Sequence, residues 1–194
     1  MSTTTWPFDY ADLPELLDRL DGDEKHEPSA HSTLDVLWVL YSRFLQVDPA
    51  SPEWPDRDRF LLSKGHGPMA FYAVLAAAGF ITPETLDTFG CFDSPLGHHP
   101  DRNLVPGVEL ASGSLGHGLP IAVGMSLALR AQGNERSRVV VLVGDAELDE
   151  GSNHEAIALA GRFGLERMVV VVVDNRSATH GWPGGITARF AVEG

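Results

Sequence analysis

Two apolar runs, Arg138-Val-Val-Val-Leu-Val143 and Met168-Val-Val-Val-Val-Val173, decide the fold of this chain. Each has the length of a buried strand, and polar residues follow directly, Gly144-Asp145 after the first run and Asp174-Asn175 after the second. Between the two runs, residues 153–163 place apolar side chains at helical spacing. Strand, helix and strand in this order predict an α/β fold, with a parallel sheet that helices bury on both faces.

The remaining sequence predicts one more strand and several helices around this unit. Residues 90–118 are dense in glycine, proline and histidine and predict a long loop, which in a compact chain is usually functional. Residues 1–30 are polar and acidic and are expected to form an N-terminal extension and loop, while residues 31–194 form one α/β domain. The predicted helices cover 13–20, 34–45, 69–78 and 119–131, and the predicted strand covers 60–63. Ser32-Thr-Leu-Asp is expected to open the helix over 34–45, and Thr82-Pro83-Glu84 to start another short helix.

Composition and charge exclude several classes of protein. The chain has 194 residues, enough for about one domain, and 43% of them are hydrophobic, which allows a real core. Its 14 basic and 27 acidic residues give a formal charge of −13, which disfavours nucleic-acid binding. The single cysteine, Cys91, excludes an internal disulfide and suits a reducing compartment. The sequence shows neither a signal peptide nor a membrane-spanning run, so we expect a soluble, cytoplasmic protein.

Polar residues stand at the carboxyl ends of both predicted strands, where parallel α/β sheets collect ligands. Asp145 supplies a carboxylate and Asn175 an amide oxygen, and a main-chain carbonyl just beyond Asn175 supplies a third oxygen. Such a set leaves room for phosphate oxygens and water around Mg²⁺, and the helix after Gly144 offers its N-terminus to an anion. The pattern suits a metal-bridged diphosphate. The alternative is that Asp145 only caps a helix and Asn175 only forms a turn.

Histidines recur in the loops of the chain. His26 lies in an early loop, His66 in Ser-Lys-Gly-His-Gly-Pro, His98 and His99 in Gly-His-His-Pro-Asp, and His117 in Gly-Ser-Leu-Gly-His-Gly. They lack a recognisable zinc-ligand spacing, and the sequence has neither a nucleophile elbow nor a Cys–His pattern. The glycine-rich stretch around His117 lacks the lysine of a P-loop. Because loop histidines are more often solvated than catalytic, they do not define a function by themselves.

Together these motifs resemble a known family. Gly144-Asp-Ala-Glu-Leu-Asp-Glu-Gly-Ser-Asn153, followed by Val173-Asp-Asn175, resembles the thiamine diphosphate motif, which is Gly-Asp-Gly, a long spacer and Asn-Asn. More specifically, the chain is similar to the N-terminal, diphosphate-binding domain of transketolase, and this resemblance implies the thiamine-diphosphate-binding α/β fold. The other matching segments come in the order of the family and are 62–67, 97–101, 105–109 and 112–118.

The resemblance implies a magnesium and cofactor site at the strand ends. Asp145, Asn175 and the main-chain oxygen of Ser177 would ligate Mg²⁺. Glu150 would lie at the interface that couples the two cofactor sites of a dimer. The cofactor-binding residues implied by the family are His66, Gly113, Ser114, Leu115, Gly144, Asp145, Ala146, Glu150 and Asn175.

The resemblance also gives three histidines catalytic roles. His66 would lie between the diphosphate and the substrate, His99 would meet the first hydroxyl or carbonyl of the donor, and His26 would face the substrate. Histidines suit this chemistry because each can form hydrogen bonds or move protons near neutral pH.

Several positions depart from the family pattern. Ala146 replaces the third glycine of the motif, and its Cβ would crowd the diphosphate if the backbone needed a positive φ. Asp174 replaces the first asparagine, and His117 replaces a glutamine. Residues 25–29 read Lys-His-Glu-Pro-Ser where the family has Gly-His-Pro-Gly-Gly.

Transketolase also needs a second domain, which binds the aminopyrimidine ring of the cofactor and supplies the glutamate that activates it. No such domain fits in 194 residues, so the chain is either trimmed or one half of a split enzyme. We therefore expect its partner to be a separate C-terminal, pyrimidine-binding transketolase subunit, in an α2β2 heterotetramer. The chain alone should be catalytically incomplete.

The leading hypothesis is transfer of a two-carbon ketol unit from a small ketose-type donor to an acceptor. Three alternatives stay open at this point. The first is ketol or acyl transfer to a carrier-protein thiol or a specialised metabolite, and the second is a non-catalytic regulatory subunit of the same fold. The third is acyl transfer by a 2-oxo acid dehydrogenase, although the segments around His66 and His99 fit transketolase better.

Overall fold

The computed structural model describes residues 6–20, 27–65 and 68–193. They form two compact units that interleave along the chain. The first unit contains the described residues up to Arg57 and those of 68–111, and the second contains 58–65 and 112–193. The boundary expected near residue 30 stays a prediction.

The first unit is helical. Helix α3 is buried along its whole length and is an alanine-rich apolar run that ends at Gly79, whose left-handed φ of 86° closes the last turn. Helices α1 and α2 pack against it. Aromatic contacts close the core, with Tyr41 lying between Phe71 and Phe80. The helices are α1 (Leu13–Asp18), α2 (Glu27–Val39), α3 (Met69–Ala78) and α4 (Pro83–Leu86).

The sequence prediction for α2 was wrong at its start. The helix begins at Glu27 rather than at Ser32, and Pro28 is tolerated there because the first turn of a helix has no N–H partners to lose. It continues into one π-helical turn, Leu40–Phe44. The predictions for α3 and for a short helix from Pro83 are confirmed.

The long loop predicted over residues 90–118 is also confirmed, because 90–117 contain neither helix nor strand. The loop is anchored by a buried ion pair in which Arg57 donates from Nε to Glu109 Oε1 at 2.7 Å and from Nη2 to Oε2 at 3.1 Å. Such two-point pairing fixes both position and orientation. The apolar side chains of Leu96 and Val105 anchor the loop as well, since both are buried.

The second unit contains a three-stranded parallel sheet in the order β1-β2-β3. Its strands are β1 (Arg59–Leu62), β2 (Val139–Gly144) and β3 (Met168–Val173). The carboxyl ends of parallel strands lie at one edge of the sheet, so the residues that follow Gly144 and Val173 are brought together there. The predicted α/β fold with a parallel sheet is therefore confirmed.

Three helices complete the second unit. They are α5 (Gly118–Ala131), α6 (Gly151–Arg162) and α7 (Gly185–Glu193), of which α7 was not predicted. Helix α5 packs against all three strands. The central strand β2 is fully buried, whereas β3 is half-buried along its length. In the described part of the chain, no helix is both long and apolar enough to cross a membrane.

Candidate cofactor site

Asp145 follows β2 at the carboxyl edge of the sheet and is buried. Its carboxylate accepts hydrogen bonds from the main-chain N–H groups of Ala146 at 2.9 Å, Ser177 at 2.7 Å and Ala178 at 3.2 Å. The hydroxyl of Ser177 donates a further bond at 2.6 Å. The segment after β3 is therefore attached directly to the residue after β2.

Asn175 and Asp145 direct oxygens at the same point. The Ser177 Oγ atom lies 2.6 Å from Asp145 Oδ1 and 2.6 Å from Asn175 Oδ1. A hydroxyl has one proton to donate, so two acceptors converge on the position of a single donor. Carboxylate and amide oxygens in convergence are ligands that a hard cation such as Mg²⁺ prefers.

A left-handed residue creates this convergence. Arg176 has φ of 62°, and it is the one non-glycine residue with positive φ in the described ranges. Such a conformation is costly for a residue with a Cβ and persists where surrounding contacts enforce it. Here it turns the chain between Asn175 and Ser177, so the Ser177 hydroxyl lies within hydrogen-bond distance of both Asn175 Oδ1 and Asp145 Oδ1.

The electrostatic state of Asp145 suits a cation. Burial raises the pKa of this carboxyl, but the hydrogen bonds from Ser177, Ala178 and Ala146 outweigh burial and leave the pKa below its usual value. Asp145 is therefore ionised at neutral pH and carries a negative charge at the sheet edge.

Within the described residues, no three side chains of histidine, cysteine, aspartate or glutamate gather as a metal site would require. The predicted magnesium set does not depend on such a cluster. It consists of one carboxylate, one amide oxygen and one main-chain oxygen.

Glycines let the loop before α5 approach the loop after β2. Gly116 has φ of 78°, and a Cβ at this position would lie 2.7 Å from Glu150 Cβ and 2.7 Å from Ser152 Oγ. Ser152 Oγ donates to the carbonyl of Gly116 at 2.6 Å. Gly65 is equally crowded, because a Cβ there would lie 2.8 Å from the nitrogen of Gly113. The predicted cofactor loop, 113–115, is thus built on close main-chain approach, and Glu150 is exposed beside it.

Glu147 was missed by the sequence analysis. It is buried and accepts hydrogen bonds from the Ser63 hydroxyl, from Gly116 N at 3.1 Å and from Gly144 N at 3.4 Å. Burial raises its pKa more than these bonds and the nearby Lys64 lower it. Glu147 joins β1, β2 and the glycine loop. No periodic pattern marks it, since in sequence it is one of several acidic residues after Asp145.

Asp149 was missed as well. Its carboxylate accepts three successive main-chain N–H groups, from Thr179 at 2.8 Å, His180 at 3.0 Å and Gly181 at 3.2 Å. These bonds, with that of His180 the largest effect, hold the pKa of Asp149 below its usual value. The donors come from a distant part of the chain, so spacing along the sequence gives no signal for the contact.

Comparison with known proteins identifies the family. Residues 18–188 match the family described as transketolase, thiamine diphosphate binding domain. The chain belongs to this family. Its resemblance to the N-terminal, thiamine-diphosphate-binding domain of transketolase is thereby confirmed.

Two curated relatives show what part of longer proteins this transketolase domain covers. Ferredoxin fas2 of Rhodococcoides fascians is 59% identical over 187 residues, which are 96% of this chain and 62% of that protein. One of the apulose-4-phosphate transketolase subunits, from Actinobacillus succinogenes, is 42% identical over 151 residues, 78% of this chain and 54% of that protein. The chain therefore spans between 54% and 62% of the length of these relatives.

A solved structure confirms the transketolase fold. The crystal structure of transketolase from Campylobacter jejuni superposes with a TM-score of 0.77 at 27% sequence identity. The match covers 96% of this chain and 33% of the other.

The residues present fit the cofactor of the transketolase family. Ala146, at the position of the third glycine of the motif, has φ of −64° and ψ of −34°. A side chain is allowed there, so the substitution brings no backbone strain. Together with the converging oxygens of Asp145 and Asn175 and the glycine-built cradle before α5, these residues provide a donor set that fits a diphosphate and a hard cation.

Of the three histidines predicted to be catalytic, the structure describes one, His99. His26 and His66 lie outside the described residues. His99 is exposed and belongs to the first unit, where the buried hydroxyl of Tyr72 donates to the neighbouring carbonyl of Gly97 at 2.9 Å. The ring of His98 contacts Phe89 edge-on at 5.5 Å. The turn that carries His99 is thus held from its amino-terminal side.

Proposed function

We propose that this chain is the N-terminal subunit of a split, thiamine-diphosphate- and Mg²⁺-dependent transketolase-like enzyme. It would transfer a two-carbon ketol unit from a ketose-type donor to an acceptor. The observation that carries this proposal is the convergence of Asp145 and Asn175 at the carboxyl edge of a transketolase-family sheet.

Asp145, Asn175 and the main-chain oxygen of Ser177 would hold Mg²⁺, which would supply positive charge to compensate the diphosphate. The diphosphate would lie in the cradle formed by Gly113, Ser114 and Leu115 together with Gly144 and Ala146. Thiamine diphosphate, when bound, supplies the nucleophilic carbon and the electron sink for carbon–carbon cleavage. The chain supplies charge compensation, orientation and a fixed phosphate end.

Three histidines would act on the substrate. His99 would donate a hydrogen bond to the first hydroxyl or carbonyl of the donor, His66 would stand between donor and diphosphate, and His26 would face the sugar chain. Each can hold or move a proton near neutral pH. The exposed carboxylate of Glu150 would meet the partner and couple two cofactor sites.

We infer a separate partner that binds the pyrimidine ring. The relative from Actinobacillus succinogenes is named as one subunit of a transketolase, and this chain covers 54% of it. A second, C-terminal subunit would complete the site in a cytoplasmic α2β2 heterotetramer. The residues 31–194 would serve as its diphosphate-binding domain.

The name ferredoxin, carried by the relative from Rhodococcoides fascians, is not proposed for this chain. Iron–sulfur clusters are held by several cysteine thiolates. The chain has one cysteine, the exposed Cys91. The part of this chain that matches the relative therefore does not supply the cysteine ligands of such a cluster.

A ketol-transfer assay on the chain assembled with its partner tests the proposal. Asp145→Asn keeps the shape of the side chain and removes its charge, so transfer from ketose donors should fall to background. Asp18→Asn, on an exposed residue of α1, removes the same charge elsewhere and should leave the rate unchanged. Undiminished transfer in Asp145→Asn, or no transfer with any ketose donor, would contradict the proposed function.

A further inference from the structure

The segment 177–181 donates five successive main-chain N–H groups to two aspartates of the loop after β2. The N–H groups of Ser177 and Ala178 bind Asp145, and those of the next three residues bind Asp149. Both carboxylates therefore fix the same segment through hydrogen bonds. That segment begins at the residue whose main-chain oxygen is the third expected metal ligand.

The two aspartates differ in whether a bound cation would displace one of their hydrogen-bond donors. A carboxylate has about four acceptor positions. All four are used at Asp145, by the N–H groups of Ala146, Ser177 and Ala178 and by the hydroxyl of Ser177. A cation that binds Asp145 must replace one of these donors. The Ser177 hydroxyl is the one that lies between Asp145 and Asn175.

Loss of that hydroxyl bond loosens the attachment of the segment to Asp145 at the moment when the metal needs it fixed. Asp149 provides an attachment that the metal does not disturb. A carboxylate is required for this, because it only accepts hydrogen bonds, whereas an amide would present N–H groups toward some of the three donors.

Neighbouring contacts keep both loops in place. The indole Nε1 of Trp182 donates to the carbonyl of Leu148 at 3.2 Å, directly before Asp149. The ring of Trp182 stacks on His154 of α6 at 4.3 Å. Further contacts therefore join the two segments on either side of the Asp149 hydrogen bonds.

We propose that Asp149 is a positioning residue for the metal site: it holds residues 179–181 so that Ser177 and Asn175 stay in ligating position when the cation displaces a donor from Asp145. The inference rests on the proposed function. It predicts that metal affinity depends on a side chain that does not touch the metal.

Mn²⁺ binding in the presence of thiamine diphosphate, followed by electron paramagnetic resonance on the assembled enzyme, tests the inference. Asp149→Asn should weaken Mn²⁺ binding roughly tenfold, the equivalent of one charge-assisted hydrogen bond. Amide hydrogen exchange without metal should become faster at residues 179–181. Asp58→Asn is the matched control, because Asp58 also accepts a main-chain N–H, from Arg138 at 2.7 Å, but stands at the amino-terminal ends of β1 and β2.

The control separates positioning from stability. Asp58→Asn should lower the unfolding temperature and leave Mn²⁺ affinity unchanged. Unaltered Mn²⁺ affinity in Asp149→Asn, or an equal loss in both variants, would overturn the inference alone. Absence of Mn²⁺ binding by the unaltered enzyme would overturn the proposed function and the inference with it.

Discussion

Asp58 and Asp145 are two buried aspartates at opposite ends of the same sheet, and their partners differ. Asp58 accepts from the guanidinium of Arg138, at 2.6 Å from Nη2 and 3.1 Å from Nε. Asp145 accepts from three main-chain N–H groups and one hydroxyl, which are neutral donors. When a carboxylate pairs with an arginine, its charge is already compensated and the pair serves a structural role. A carboxylate that accepts hydrogen bonds from neutral donors keeps its negative charge for a cation.

The largest expected effect is on stability, at Asp58. Asp58→Ala removes the carboxylate that pairs with the Arg138 guanidinium and should lower the free energy of unfolding by about 3 kcal/mol. Urea unfolding measures this loss, and Arg138→Ala in the same chain should recover part of it because the two residues are coupled. A loss below about 1 kcal/mol would show that the ion pair contributes little.

At Asp145 the main expected effect is on cofactor binding rather than on stability. Asp145→Asn should weaken magnesium-dependent binding of thiamine diphosphate by at least about a hundredfold, more than removal of a supporting residue around a metal. The unfolding temperature should fall by no more than in Asp58→Asn, because both variants place an amide against donors that a buried carboxylate accepts. The loss of cofactor affinity is therefore what separates the two aspartates. Equilibrium dialysis with the assembled enzyme gives the affinity. Strong binding by this variant would mean that Asp145 resembles Asp58 in role.

A smaller effect is expected in the first unit, at Tyr72. Tyr72→Phe removes the hydrogen bond to the carbonyl of Gly97 and should cost about 1 kcal/mol of unfolding free energy. Since the turn carrying His99 is then less fixed, KM for the ketose donor should rise while cofactor affinity stays constant. An unchanged KM would separate Tyr72 from substrate binding.

The smallest expected effect concerns acid unfolding, and it has opposite signs at Asp145 and Glu147. The pKa of Asp145 is lowered below its ordinary 3.8, so its stabilisation is present above that value and is lost as pH falls through the folded-state pKa. The pKa of Glu147 is raised above its ordinary 4.5, so its stabilisation is present below that value and is lost as pH rises through the folded-state pKa.

Urea unfolding without metal, between about pH 3 and pH 8, checks both signs. Asp145→Asn should flatten the loss of stability on the acid side. Glu147→Gln should flatten the loss that follows as pH rises above 4.5. The same change in both variants would contradict the assigned directions.

Regular elements could be predicted from the sequence where a single signal decided them. Helix α3 and strand β3 have the predicted bounds, because each is an unbroken apolar run with a clear stop after it. The start of α2 was wrong because Ser32-Thr-Leu-Asp has the pattern of a helix cap, whereas the helix already begins at Glu27. Helix α7 lacks a strong stop or start signal and was missed.

The site was predictable in part for the same reason. Asp145 and Asn175 follow apolar strands, so topology alone brings them to one edge. The roles of Glu147 and Asp149 depend instead on main-chain N–H groups from distant segments. The path of one such segment depends on the left-handed conformation of Arg176. Arginine has no preference for that conformation, so the sequence does not predict it.

Calorimetric titration of thiamine diphosphate, with and without Mg²⁺, into the chain assembled with its partner tests the central claim most directly. The claim is that Asp145 keeps its charge for a cation that holds the diphosphate. We predict binding with Mg²⁺ and its loss when Mg²⁺ is removed by a chelator. Equal binding in the presence and absence of Mg²⁺ would contradict the claim.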